Sequence, residues 1–184
     1  MMNNDTDKLL SDFISNFAEN HRTNDAKFLL ANHFVRNQAF EKAAEIYNQI
    51  DIKTLPQNKK YEYYYKSGHC QFMLKDYDKA KQSFMNVKDA RSNFAVAATY
   101  FYGHILYEEK EYNKALKEFL SLKNEKNFGK IVPYYIAQIY YHEGKYEELI
   151  SIASELSNKS QSKKSAELNK MLGFNTICSR DGSI

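Results

Sequence analysis

Tryptophan is absent from the 184 residues, proline occurs twice and glycine six times. So few turn formers exclude an all-β sandwich or barrel, which needs a turn signal about every 8–12 residues. The two cysteines, Cys70 and Cys178, lie far apart and form no C-x-x-C pair. That removes the zinc ribbon, the thioredoxin-type redox motif and the disulfide-stapled scaffold. No apolar run reaches the roughly 18 residues of a spanning helix, so direct insertion into a membrane is not expected. Charge of one sign is also lacking: 26 basic residues face 23 acidic ones, for a formal +3. A protein that neutralises nucleic-acid phosphates would carry a larger or more clustered excess, so no nucleic-acid partner is expected. The N-terminal MMNNDTDKLLSDF has no apolar core behind a basic start, hence no visible secretory signal. The compartment stays open: cytoplasm as the chain stands, periplasm or cell envelope if a leader has been removed.

What is present is aromatic weight, 15 tyrosines and 12 phenylalanines, and internal repetition. Four segments pair an aromatic with a small or aliphatic residue three positions on: Phe40/Ala43, Tyr77/Ala80, Tyr112/Ala115 and Tyr146/Leu149. The aromatics are spaced by 37, 35 and 34 residues. Nine positions before each stands a small residue: Ala31, Gly68, Gly103 and Ala137. Seven positions after come Tyr47, Phe84, Phe119 and Ala153, and ten after come Ile50, Val87, Leu122 and Leu156. Five columns in register over four copies are a repeat.

Each copy reads as two helices joined by a short polar turn. In the second, Tyr63 to Leu74 is apolar or aromatic at helical spacing, and Lys75-Asp76 is the turn. Tyr77, Ala80, Phe84 and Val87 then follow at gaps of three and four. The small residue of the first helix and the alanine of the second let the pair cross closely. Pro133 falls in the first turn of a helix, where its missing N–H costs nothing. Before the repeats, residues 5–19 place Leu9, Leu10, Phe13, Ile14 and Phe17 on one face and predict a helix that packs on the open end of the first unit. After them, residues 164–173 read as a fifth first helix or a cap, with Leu168, Met171 and Leu172 apolar and Gly173 in the small-residue column. Residues 174–184 carry no periodicity and are expected to be disordered. With no polar cap in sight, the chain is expected to be a piece of a longer array, and its bare C-terminal end to allow weak self-association.

At these residues the chain resembles the tetratricopeptide repeat (TPR) family, a helix–turn–helix of about 34 residues with small residues at the crossing. The resemblance covers residues 24–157, with repeats near 24–57, 61–94, 96–129 and 130–163. It departs from the family in lacking a closing proline and an opening tryptophan, and in Leu149, which replaces an alanine. The stretches 101–119 (FYGHILYEEKEYNKALKEF) and 131–150 (IVPYYIAQIYYHEGKYEELI) also resemble TPR arrays of large envelope proteins of Bacteroidota. The implied fold is all-α: a right-handed TPR superhelix of about four repeats plus terminal helices.

The resemblance further implies a concave groove lined by the second, fifth, ninth, twelfth and thirteenth residues of each first helix. Those columns give the candidate partner-binding residues Tyr65, His69, Phe72, Tyr100, His104, Tyr107, Tyr134, Gln138 and Tyr141. A ladder of tyrosines suits a protein or peptide partner. The fifth-column residues Phe28, Tyr65, Tyr100 and Tyr134 leave no basic clamp for a C-terminal carboxylate, and only Asn32 fits at the ninth. A purely structural spacer whose groove is filled by its own chain is the alternative, and aromatic capture of a carbohydrate is a third. Catalysis is not expected. His69 and His104 share a column but have no carboxylate or cysteine at ligand spacing, so no metal or other cofactor is expected. Cys70 reads as a packed thiol. The acidic residues sit beside lysines on solvated faces, and neither a phosphate-cradling glycine loop nor a G-x-S-x-G elbow occurs.

Overall fold

The computed structural model describes residues 4–17 and 22–159, and the side chains of 7–17 and 22–152. The segment 164–173, the tail 174–184 and the side chains of Ala153 and Leu156 lie outside the described residues. Among those described there are nine α-helices, a one-turn 3-10 segment at Ile52–Thr54 and no strand. In chain order they are α1 (Asn4–Asn16), α2 (Thr23–Arg36), α3 (Phe40–Asn48), α4 (Gln57–Met73), α5 (Tyr77–Met85), α6 (Ala95–Glu108), α7 (Tyr112–Leu122), α8 (Val132–His142) and α9 (Tyr146–Lys159). The fold is all-α.

The chain divides into two compact units, Met1–Ile105 and Leu106–Ile184. In the first, α2 packs on α3, α4 on α5, α3 on α4, and α1 on α2. Its core joins Phe28, Ala31, Ala43, Tyr47, Ile50, Leu55, Tyr63 and Cys70. In the second, α7 packs on α8 and α8 on α9.

The repeat columns account for the burial. Ala43, Ala80 and Ala115 have no exposed surface, and neither have Tyr47, Phe84 and Phe119. Ile50, Val87 and Leu122 are buried with them. The small column works as a crossing point: a Cβ added at Gly68 would stand 2.9 Å from Ser83 Cβ and 3.0 Å from the Phe84 ring. The fourth copy is looser, since Ala137 and Leu149 are only half-buried.

Each helix pair turns in the same way. Gln38, Lys75, Lys110 and Gly144, two positions before each turn aromatic, all adopt the left-handed conformation, with φ of 58°, 61°, 60° and 68°. The next residue's amide then reaches five positions back: Ala39 to the Phe34 carbonyl, Asp76 to Gln71, Glu111 to Leu106 and Lys145 to Tyr140. This six-to-one closure satisfies carbonyls that a helix C-terminus leaves open. At α5 the Asp76 carboxylate also accepts from the Lys79 amide and caps the helix.

The N-terminal helix differs from the expected one-faced packing. Phe13 and Ile14 are half-buried, but Leu9 is 70% and Phe17 52% exposed. The attachment is partly polar: Asp7 pairs with the buried His33 of α2 at 2.9 Å, and Thr23 Oγ1 donates to the Phe17 carbonyl.

Candidate functional site

In the first unit the expected groove columns are used for packing between successive first helices. The sixth residue of a first helix meets these columns of the one before, Phe101 of α6 at the fifth, ninth and twelfth and Lys66 of α4 at the fifth. On α2 this rung is Phe28, Asn32 and Val35, and the Lys66 ammonium of α4 lies 5.9 Å over the Phe28 ring. On α4 the rung is Tyr65, His69 and Phe72, and Phe101 of α6 covers it with ring separations of 6.3, 5.2 and 5.0 Å. Phe101 also stacks on Phe84 at 5.5 Å. Tyr65 is held further by Phe94 at 5.2 Å, and burial pushes its phenol up to about 12. The one groove asparagine, Asn32, spends its Oδ1 accepting from the Tyr47 hydroxyl at 2.7 Å.

Three expected groove residues are therefore corrected to core. Phe72 is 3%, Tyr100 0% and His104 7% exposed. Phe72 is covered by Phe101 and by the edge of His104 at 5.4 Å, and Tyr100 packs on Phe101 at 5.5 Å and beside His104 at 6.2 Å. Helical periodicity put them on one face, and that face is where the neighbouring rings meet. Burial drives the His104 imidazole down to about 4, which keeps it neutral. Tyr65 and His69 are half-buried between these rings.

The second unit keeps the fifth- and twelfth-column rings of α8, Tyr134 and Tyr141, accessible. The Tyr107 hydroxyl donates to Gln138 Oε1 at 3.1 Å, and the ring meets Tyr135 at 5.3 Å. Tyr135, the sixth residue of its helix, also stacks on Phe119 at 4.9 Å. Burial and the nearby Tyr112 and Glu108 raise the Tyr107 phenol above its ordinary range. Tyr134 is 53% and Tyr141 63% exposed, and Gln138 is exposed between them. An open recess of about 390 Å³ lies here, lined by Ala137, Gln138, Tyr141, His142 and Leu149.

His142 falls in the thirteenth of the expected groove columns, whereas Tyr112, its partner on this face, is not among the expected groove positions. His142 stacks flat on Tyr112, with centroids 5.0 Å apart and planes 3° apart, and its edge meets Tyr141 at 6.0 Å. Tyr112 is the aromatic of the turn column and His142 the thirteenth residue of its first helix. The pairing joins two columns that the sequence separates by 30 positions.

The chemistry available is contact chemistry. Burial raises the Cys70 thiol to about 12, so it stays protonated and weakly nucleophilic. Among the described residues no group of three or more His, Cys, Asp and Glu could hold a metal ion. None of the described helices is long and apolar enough to cross a membrane.

No family model matches the chain, and no curated protein matches it. Among solved structures it is similar to MamA of AMB-1, with a TM-score of 0.64 at 18% identity over 78% of each chain. MamA is a TPR-like helical repeat protein, and at this identity the likeness speaks for the fold. With four helix–turn–helix copies in register and this likeness, the chain has a TPR-type helical repeat fold.

Proposed function

We propose that the chain is a non-enzymatic scaffold that holds a partner protein or peptide against the exposed aromatic face of α8, formed by Tyr134, Gln138, Tyr141 and His142. The carrying observation is the exposure of Tyr134 and Tyr141 beside an open, mostly apolar recess. Large rings left in water on a repeat protein are poor economy for folding and good anchors for a partner. Tyrosine adds a hydroxyl to its flat apolar area and loses few torsions on binding. The helical repeat fold supports the same reading, since it builds extended contact surfaces rather than catalytic pockets. With no basic cluster at the recess, apolar contact and ring stacking dominate, and Gln138 supplies direction.

Burial of Phe72, Tyr100 and His104 favours a second reading for the first unit: there the same columns bind the array's own helices, and the unit serves as structure.

The test is capture followed by titration. A protein retained from the source extract by the full chain is purified and its affinity measured against the wild type, Tyr134→Ala and Tyr141→Ala. Loss of an anchor ring should weaken binding by about 2 kcal/mol or more, roughly 30-fold. A partner that binds both variants as tightly as the wild type contradicts this site.

A further inference from the structure

Away from the packed columns, the first unit carries an open recess of its own, about 310 Å³, between the first turns of α4 and the loop that leads into α6. Asn58 and Tyr61 line it from α4, and Arg91, Ser92, Asn93 and Phe94 line it from the loop. The loop is pinned in place. Ser92 Oγ accepts from the Phe94 amide at 3.3 Å, the Ser92 carbonyl accepts from the Ala95 amide at 3.2 Å, and the Phe94 ring stacks on Tyr65 at 5.2 Å. The polar side chains of the lining are unspent. Among the described residues Arg91 forms no ion pair, and the side chains of Asn58, Tyr61 and Asn93 make no hydrogen bond. The neighbouring lysines are occupied, Lys59 by Asp25 at 2.5 Å and Lys88 by Asp89 at 3.1 Å. Asn58 and Asn93 each stand ten positions before the small column, at Gly68 and Gly103, so adjacent copies bring two equivalent carboxamides to one recess.

We infer that this recess binds an acidic peptide, with a carboxylate of the peptide on the Arg91 guanidinium, its main chain on Asn58 and Asn93, and an apolar side chain against Tyr61 and Phe94. A guanidinium is a planar fork that pairs with a carboxylate through two parallel hydrogen bonds. It also pairs with phosphate, and the rest of the lining selects between the two. Each carboxamide offers an acceptor as well as two donors, which matches a peptide group. Against the oxygens of a phosphate that acceptor would be left facing other acceptors. The single arginine of the lining balances one carboxylate, whereas a phosphate monoester carries about 1.5–2 charges at neutral pH. Tyr61 and Phe94 are half-buried and supply ring surface for the residue beside the acid. A recess already shaped by a pinned loop loses little further order on binding.

This inference goes beyond the proposed partner face of α8 and stands without it, since the two sites share no residue.

Titration of the full chain, followed by NMR, tests it. The probe is the acetylated and amidated pentapeptide Gly-Leu-Glu-Leu-Gly. It is compared with the same blocked peptide carrying glutamine for glutamate, and with that glutamine peptide given a free C-terminus. The glutamate peptide should shift the side-chain amide signals of Asn58 and Asn93 saturably below about 10 mM. It should bind at least about fivefold more tightly than the blocked glutamine peptide. Arg91→Gln should remove that preference, and Arg91→Met must behave alike, which guards against a fault peculiar to one variant. Arg91 is exposed, so both variants keep the fold, and an unaltered Tm verifies it. Preference for the free C-terminus over the glutamate side chain assigns the carboxylate to a chain end and supports the same site. Equal binding of all three peptides, absence of shifts at Asn58 and Asn93, or survival of the preference in both Arg91 variants overturns the inference. Tighter binding of inorganic phosphate or adenosine monophosphate than of any peptide overturns it as well, because the occupant would then be a phosphate. The readout lies in the first unit, so a failure of the α8 face in Tyr134→Ala leaves each of these outcomes intact.

Discussion

Gly68 and His104 show how much a single position decides. The Cβ of an alanine at 68 would push into Ser83 and Phe84, so Gly68→Ala should cost about 1–3 kcal/mol despite alanine's better helix propensity. Urea denaturation measures this directly, and an unchanged midpoint would mean that α4 and α5 cross less closely than described. His104 makes stability depend on pH. Its folded-state value lies near 4, below the ordinary 6.5, so the unfolded chain takes up the proton first. The neutral ring's contribution is complete above pH 6.5 and is lost as pH falls towards 4. Between pH 7 and pH 5 the wild type should lose about 2 kcal/mol more than His104→Gln, in which that titration is missing. Equal losses in the two proteins would place the ring in water.

At the scale of the element, the left-handed turn is shared by all four pairs, yet only one is built on glycine. A non-glycine residue there carries a cost of roughly 1–2 kcal/mol, of which glycine's greater freedom in the unfolded chain returns part. Lys110→Gly should thus stabilise the protein by about 0.5–1 kcal/mol, and Gly144→Lys should destabilise it by about 1 kcal/mol. For a chain of this length each kcal/mol moves Tm by about 2–4 °C. A fall in Tm for Lys110→Gly would show that the lysine makes contacts outweighing its strain. The turns also explain what the sequence conceals. Helix pairs and the columns of alanine, phenylalanine and tyrosine can be read directly, because each is a residue type at a fixed spacing. The turn conformation cannot be read at Gln38, Lys75 and Lys110, since the residue that would announce it is absent. The aromatic face was only half legible. Periodicity says which side chains share a face, and it is silent about what covers that face. Tyr65 and Tyr100 therefore look the same as Tyr134 on paper.

For the whole molecule, the account rests on one contrast inside one column. Tyr100 and Tyr134 are both the fifth residue of a first helix; Tyr100 has no exposed surface, and Tyr134 is 53% exposed. If rungs inside the array are packing and the α8 rung is contact surface, the two alanine variants must differ in stability. Core truncations supply the scale, since Phe84→Ala and Phe119→Ala remove fully buried rings and should cost roughly 3–5 kcal/mol. The decisive measurement is equilibrium urea denaturation of the full chain with Tyr100→Ala and Tyr134→Ala side by side. Tyr100→Ala should fall with the core truncations at about 3–5 kcal/mol, while Tyr134→Ala should lose no more than about 1 kcal/mol. Equal and large losses would make Tyr134 a packing residue and remove the contact face. Equal and small losses would mean that Tyr100 is not enclosed, which contradicts the packing between repeats.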